Sequence, residues 1–240
     1  MDNGLLSTRR IKLAIRNGPG RDFFWRFEDE WPLARTQWTP YFLNAASMTM
    51  TPTGQTHPVT SVSYTGKLGI AEFRTAAFAK DTEITGPLKA KLFVSSSTAD
   101  MDLFVDIRQI DASGKEVTVE TTYTSAGPIA KGWLRASHRK TDPAQSLPYQ
   151  PYHTHDEVQK LTPGEIVAVE VEIWPTSMVF PKGSSLLFSV SAVDGKVPGQ
   201  FYHTDPTDRP ADVFIDGIYT LHTGGNYDAH LLLPIIPARS

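Results

Sequence analysis

The feature that most constrains the fold is a strict alternation of side chains over residues 166–174, which read IVAVEVEIW. Val167, Val169, Val171 and Ile173 fall on one side of an extended chain, and two glutamates fall on the other. Successive side chains of a β-strand point to opposite faces, so this pattern predicts a half-buried strand. No stretch of the chain shows a sustained period of 3.6 residues, which would indicate an amphipathic helix.

The same period recurs along the chain and predicts further strands. They are expected at residues 10–15, 23–28, 41–43, 48–51, 88–95, 102–110, 117–123, 186–192, 218–222 and 230–233. Turns rich in glycine and proline separate many of them, and Pro234 is expected to end the last one. A short helix is expected only at residues 156–161. Many short strands with one apolar face predict an all-β fold, built as a two-sheet antiparallel β-sandwich of the jelly-roll type.

The composition excludes several classes of site and partner. The 240 residues include no cysteine, so disulfides, zinc–thiolate sites and cysteine nucleophiles are excluded. The net charge is -3 and no basic run occurs, so nucleic acid is not an expected partner. No apolar run is long enough to cross a membrane, and residues 1–7 lack the apolar core of a signal peptide. A cytoplasmic location is therefore the expectation.

No complete motif for a nucleophilic serine occurs in the chain. The Gly-x-Ser-x-Gly elbow needs two glycines, because the backbone must turn sharply to expose the serine hydroxyl. The nearest sequence, GSSLL at residues 183–187, lacks the second glycine and leads into a predicted strand. We therefore predict a structural turn there and no catalytic residue in this chain.

Two histidines, His153 and His155, could point to the same side of an extended segment and bind a metal ion. A third ligand would have to come from His203, His222 or His230. The alternative interpretation is a polar loop between prolines, and we favour it because histidine is common on protein surfaces. No metal ion or other cofactor is predicted.

Three aspartates surround the start of a predicted strand. Asp102 and Asp106 share one face of that strand, and Asp100 precedes it. They could bind calcium or act as a carboxylate pair. The alternative, which we favour, is a solvated strand face with Asp100 in a turn.

Arg135, His138 and Arg139 follow Trp133 within one short segment and are candidates for a binding site. They could contact an anionic group. We favour a structural interpretation, in which these side chains fix a loop by hydrogen bonds to backbone carbonyl groups.

Trp31 and Trp38 complete the set of candidate binding residues, because both lie near prolines in predicted loops. Aromatic residues at alternating positions more often belong to a core or an interface. A stand-alone carbohydrate-binding jelly roll, with such tryptophans in a groove, is the alternative function.

Several short motifs resemble the C-terminal domain of X-Pro dipeptidyl-peptidases and of the CocE/NonD (cocaine-esterase-like) acyl hydrolases. In chain order they are EWPL at residues 30–33, TGP at 85–87, SSSTADMDL at 95–103, GWLRASHR at 132–139, LTPGE at 161–165, WPTS at 174–177, FPKG at 180–183 and LLLPIIP at 231–237. Each motif is short, but their order makes the resemblance specific.

The resemblance implies a galactose-binding-like jelly roll that follows an α/β-hydrolase domain carrying a Ser-Asp-His triad. In that family the jelly roll packs on the catalytic domain and helps to shape its substrate entrance. None of the triad motifs is present in this chain, and His138 does not match the triad histidine. The expectation is a single non-catalytic domain at residues 10–240, preceded by a linker remnant at residues 1–9. Its expected partner is an α/β-hydrolase domain in cis or in trans, and contacts within a homo-oligomer are also expected.

Overall fold

Most of the alternating segments form strands in the computed structural model, which describes residues 9–53, 57–121, 124–195 and 217–237. Within these ranges the backbone forms fourteen strands and a 3-10 turn at Ala136–His138, and it contains no α-helix. The strands are β1 (Ile11–Arg16), β2 (Phe23–Glu28), β3 (Gln37–Asn44), β4 (Thr49–Thr51), β5 (Thr60–Thr65), β6 (Ile70–Thr75), β7 (Thr82–Ser96), β8 (Asp102–Ile110), β9 (Glu116–Val117), β10 (Ala130–Arg135), β11 (Val167–Phe180), β12 (Ser185–Ser191), β13 (Ile218–Thr223) and β14 (His230–Ile236).

The all-β prediction is confirmed, but the helix expected at residues 156–161 is absent. Backbone N–H groups of this segment donate hydrogen bonds to carbonyl groups of distant segments, and not to carbonyl groups of a preceding helical turn. The Gln159 N–H donates to the Ser137 carbonyl at 2.8 Å, and the Leu161 N–H donates to the Ala99 carbonyl at 2.7 Å. No helix in the described ranges has the length and apolar character that crossing a membrane requires.

The predicted two-sheet jelly-roll sandwich is wrong, because the strands form a closed barrel. Following the hydrogen-bonded neighbours, the order is β11, β10, β8, β12, β6, β4, β3, β14 and β7. Strand β7 then pairs with β11, so these nine strands of the described chain close on themselves. The hairpin β1–β2 extends from β11, and the pair β13–β5 extends from β7.

Closure depends on the two longest strands, β7 and β11, which pair antiparallel with a shift of register between Ile173 and Thr176. A bulge of this kind bends a strand and increases its twist. The two parts of β11 can therefore meet different neighbours. Ile173 pairs with Gly132 of β10, whereas residues beyond the shift meet β1. Alternation specifies which side of a strand is buried, but it does not specify which strands pair.

The core lies inside this barrel. Leu88, Ala90, Leu92 and Val94 of β7 are each 0–1% exposed, as their alternation predicts. The largest fully buried side chains on other strands are Phe73, Phe180, Phe188 and Tyr219. Functional groups must therefore be sought on the outer surface of the barrel and in its connecting segments.

Candidate functional site

An open cleft of about 420 Å³ lies against β10 and β11, where both strands expose tryptophan side chains. We call it the histidine cleft, and the residues that define it are Trp133, Trp174, Glu172, His138, His153 and His155. It combines two large aromatic rings with three imidazoles and a carboxylate, so it can offer both apolar contacts and nitrogen or oxygen donors.

The two tryptophans meet because Gly132 allows β10 and β11 to approach closely. A Cβ atom at residue 132 would lie 2.1 Å from the carbonyl oxygen of Glu172, so any other side chain would push the strands apart. The adjacent Trp133 consequently lies next to Trp174, with ring centroids 5.0 Å apart and planes at 69°. This edge-to-face arrangement does not form one flat platform on which a sugar ring could stack.

The histidines are brought together by a short antiparallel pairing that follows the 3-10 turn. Thr141 forms a β-bridge with His153, and backbone hydrogen bonds flank the bridge on both sides. This pairing places His155 beside His138, with their Nδ1 atoms 3.2 Å apart. His155 has a φ of 51°, in the left-handed region that residues other than glycine seldom adopt.

His153 is partly buried, as is His138, whereas His155 is exposed. Burial is the main reason that its pKa lies below the usual value, and the neighbouring His155 and His138 lower the pKa further. The ring hydrogen-bonds the backbone of Glu170. Its Nε2 atom is buried and has no hydrogen-bond partner among the described residues. The bond to Glu170 must therefore use Nδ1, which leaves a lone pair on Nε2.

The two arginines of the predicted site have different partners. Arg135 borders the histidine cleft, and its Nε and Nη2 atoms donate to the Asp102 carboxylate at 2.9 and 3.1 Å. Arg139 Nη1 donates to the carbonyl groups of Ala136 at 3.1 Å and of Gln159 at 2.5 Å. Arg139 thus fixes a loop through backbone carbonyl groups, whereas Arg135 is held by a buried carboxylate.

The interpretation of three aspartates as a solvated strand face is wrong. Asp100, Asp102 and Asp106 are all buried, at 1%, 8% and 5% exposure. Each carboxylate forms an ion pair with a lysine or arginine side chain. The pairs are Asp100 with Lys160, Asp102 with Arg135 and Asp106 with Arg108.

Within the described ranges no three His, Asp or Glu side chains surround a point where a metal ion would fit. His203, a possible third metal ligand by sequence, lies outside those ranges.

The remaining two predicted residues, Trp31 and Trp38, lie elsewhere. Trp38 belongs to β3 and stacks on Tyr149, with ring centroids 4.3 Å apart and planes at 7°. Trp31 lines a second open cleft of about 480 Å³, together with Phe23. The fold therefore brings Trp133, Arg135 and His138 to one cleft and leaves the other three predicted residues outside it.

Beside Trp31, strand β2 presents four aromatic side chains to solvent. Phe23, Trp25 and Phe27 share one side of the strand and are 40%, 53% and 44% exposed, and Phe24 on the opposite side is 46% exposed. The Phe23 and Trp25 rings pack edge to face at 5.0 Å, and Lys12 Nζ lies 4.3 Å from the Trp25 ring centre. We call Phe23, Trp25 and Phe27 the aromatic face. Their alternation resembles that of a core-facing strand, so the sequence pattern does not identify them as exposed.

A serine–histidine pair occurs on β7 and β13, away from both clefts. Ser95 Oγ and His222 Nε2 are 2.9 Å apart, as in a nucleophile and its base. Ser95 is only 8% exposed, and it lies in a regular strand rather than a sharp turn. Among the described residues no carboxylate bonds the His222 ring, whose other contact is the Tyr227 ring. The pair therefore lacks the third member and the geometry of a triad.

The profile of one protein family, the X-Pro dipeptidyl-peptidase C-terminal non-catalytic domain, matches residues 3–232. The chain belongs to this family. It is thus a non-catalytic C-terminal domain of the kind found in CocE/NonD and X-Pro peptidase family hydrolases. This agrees with the resemblance of the short motifs.

Individual relatives are longer than this chain. The cocaine esterase of Rhodococcus sp. (strain MB1 Bresler) is 24% identical over 251 residues, which cover 88% of this chain and 40% of that protein. A crystal structure of a CocE/NonD family hydrolase from Staphylococcus aureus has a TM-score of 0.89 and 30% identity, covering 99% of this chain and 43% of that one. An aminopeptidase from a marine sediment Thaumarchaeota archaeon shares the fold, with a TM-score of 0.68 and 13% identity over 98% of this chain and 43% of that one.

Proposed function

We propose that this domain packs through its aromatic face on the α/β-hydrolase catalytic domain of a serine acyl hydrolase or X-Pro peptidase, and that it borders the substrate entrance there. The observation that carries the proposal is the exposure of Phe23, Trp25 and Phe27 on a barrel whose other large apolar side chains are mostly inside. Apolar patches of this kind on a soluble protein usually mark a contact surface.

The aromatic face is large enough to contribute to a stable contact. A fully buried aromatic side chain removes about 150–250 Å² from water. With 40%, 53% and 44% of the three side chains exposed, roughly 270 Å² of surface remains to be covered. At about 25 cal/mol per Å², covering it would contribute roughly 7 kcal/mol before the costs of association.

The length of the relatives supports a catalytic domain as the occupant of this surface. The chain spans 43% of the staphylococcal hydrolase and 40% of the cocaine esterase, so each relative has a further, larger part. Contacts between domains of one chain commonly bury about 600–1,500 Å². The aromatic face and the adjoining cleft at Trp31 offer a surface of suitable character. The proposed position at the substrate entrance is supported by the family resemblance.

The exposed face can be tested on this chain by itself. The double variant Trp25→Ser/Phe27→Ser should bind an apolar fluorescent dye at least about threefold less than wild type, and it should self-associate less in sedimentation. Leu68→Ser is the matched control, since Leu68 is also exposed, at 77%, but lies outside the aromatic face. Equal dye binding and self-association in the double variant and wild type would contradict the proposed contact surface.

A further inference from the structure

Arg16 lies at the end of β1, on the side of the β1–β2 hairpin that carries the aromatic face. Residues that pair across two strands project to the same face, and Arg16 pairs with Phe23 while Lys12 pairs with Phe27. Arg16 lines the open cleft of about 480 Å³ together with Phe23 and Trp31. Both aromatic side chains are exposed there. The cleft therefore combines a guanidinium group with aromatic rings that face solvent.

The half-buried guanidinium group of Arg16 has no ion pair or hydrogen bond with any residue that the structure describes. Burial lowers the pKa of Arg16, and no carboxylate of the described chain raises it again. Every other arginine that is partly or fully buried in the described ranges has a partner. These pairs are Arg26 and Arg35 with Glu28, Arg108 with Asp106, Arg135 with Asp102, and Arg139 with two backbone carbonyl groups.

The two other charged groups that line this cleft form an ion pair with each other. Arg21 Nη2 donates to the Glu120 carboxylate at 2.7 Å. Arg16 therefore contributes a positive charge that no group of the cleft neutralises. Partial removal of a charge from water is unfavourable unless a hydrogen-bonding partner of opposite charge replaces the water. A partner that covers the cleft must supply that group.

A carboxylate on the surface of the catalytic domain has the chemistry that this cleft requires. The planar guanidinium group of arginine can donate two parallel hydrogen bonds to a carboxylate, which fixes both groups in one orientation. Arginine and large aromatic residues are enriched in protein–protein contacts. The chain spans 43% of the staphylococcal hydrolase, so the larger part of that relative is available as the neighbour of this surface.

We propose that an aspartate or glutamate side chain of the catalytic domain enters this cleft and forms an ion pair with Arg16 beside Phe23 and Trp31. The inference rests on the proposed function, because it requires that the catalytic domain covers the aromatic face. Burial of the aromatic rings favours contact in many orientations, since the hydrophobic effect is not directional. The ion pair selects one orientation, and its loss should therefore loosen the packing.

Carbodiimide coupling tests this ion pair in a fusion that places the catalytic part of the staphylococcal hydrolase before this chain. The fusion must hydrolyse p-nitrophenyl acetate, which shows that its catalytic part is folded. The reagent joins an amine to a carboxylate in contact with it, and the variant Arg16→Lys supplies an amine at the proposed position. Mass spectrometry should find residue 16 joined to an Asp or Glu of the catalytic part. Arg74→Lys is the matched control, since Arg74 is exposed on β6 outside the cleft, and residue 74 should not couple to that part.

Radical oxidation of Trp25 in the same fusion separates this inference from the proposed packing. Arg16→Gln should increase the oxidation of Trp25 at least about twofold over the wild-type fusion, and Arg74→Gln should leave it unchanged. Protection of Trp25 without coupling of residue 16 to the catalytic part would overturn the ion pair and leave the packing supported. Coupling without protection of Trp25 would support the ion pair and contradict packing through the aromatic face. Coupling of residue 16 only to a second copy of the chain would overturn the inference, as would wild-type protection of Trp25 in Arg16→Gln.

Discussion

Replacing Gly132 with alanine should separate β10 from β11 and destabilise the whole domain. The added Cβ atom would lie 2.1 Å from the backbone carbonyl oxygen of Glu172, and also 3.0 Å from the Cα atom of Ile173. Both obstacles are backbone atoms of the longest strand pair in the barrel, so neither can turn aside as a flexible side chain would. The strands must move apart until the contact reaches about 3.0 Å.

The magnitude follows from that displacement. A shift of about 0.9 Å weakens a hydrogen bond beside the Gly132–Ile173 pair, at a cost of about 1 kcal/mol. Overpacking adds about 1–3 kcal/mol. The free energy of unfolding should therefore fall by about 2–4 kcal/mol. For a chain of 240 residues this corresponds to a decrease in Tm of roughly 4–16 °C.

Thermal unfolding followed by tryptophan fluorescence measures this loss. The matched control is Gly18→Ala, in which the new Cβ meets the carboxylate oxygen of the exposed Asp22 side chain at 2.6 Å. That side chain can move away, so the control should change Tm by less than about 2 °C. A Gly132→Ala protein with the Tm of wild type would refute the argument, as would an equal loss in both variants.

Three further predictions concern charge and reactivity. Asp102→Ala should lower the free energy of unfolding in urea by about 3–5 kcal/mol, because the buried Arg135 guanidinium loses this carboxylate; a loss under about 1 kcal/mol would contradict it. Burial lowers the pKa of His230 in the folded chain. As the pH is lowered, this residue is therefore protonated first in the unfolded chain, and Tm should decrease between about pH 7 and about pH 5. The variant His230→Asn should show a smaller decrease in Tm over this range. The same dependence of Tm on pH in variant and wild type would contradict the prediction. A serine-directed phosphonate should leave Ser95 unlabelled, because the His222 ring has no carboxylate partner in the described chain; a Ser95 adduct in mass spectrometry would count against a non-catalytic pair.

Some strands could be predicted from the sequence with their bounds. Strands β2 and β8 have the predicted bounds, because apolar side chains recur at every second position over much of β8 and aromatic residues dominate β2. Strands β5 and β6 are missing from the prediction, although β6 alternates the buried Ala71 and Phe73 with the charged Glu72 and Arg74. Strand β14 continues through Pro234 because its register shifts between Leu232 and Ile235, which a sequence pattern does not show.

Closure of the barrel could not be predicted in the same way. It depends on the pairing of β7 with β11, which are distant in sequence, and on the bulge that lets β11 change neighbours. Each strand of a sandwich and of a barrel has the same period of two. The alternation is therefore consistent with both, and only the partner of each strand decides between them.

The candidate site was partly visible in the sequence. Trp133, Arg135 and His138 are close in the chain, and the strand β10 followed by a turn keeps them together. Trp174 joins them only because Gly132 pairs with Ile173, a contact between segments about forty residues apart. His155 lies beside His138 only because Thr141 and His153 form a β-bridge close to both of them. These contacts are set by register, which a single sequence does not reveal.

Radical footprinting of the aromatic face tests the central claim most directly. Oxidation of Phe23, Trp25 and Phe27 would be measured in this chain and in a fusion that places the catalytic part of the staphylococcal hydrolase before it. The fusion must hydrolyse p-nitrophenyl acetate, which shows that its catalytic part is folded. If the domain packs as proposed, oxidation of Trp25, now 53% exposed, should fall at least about threefold in the fusion, while exposed Leu68 should react equally in both. Equal oxidation of Trp25 in the two proteins would contradict the account.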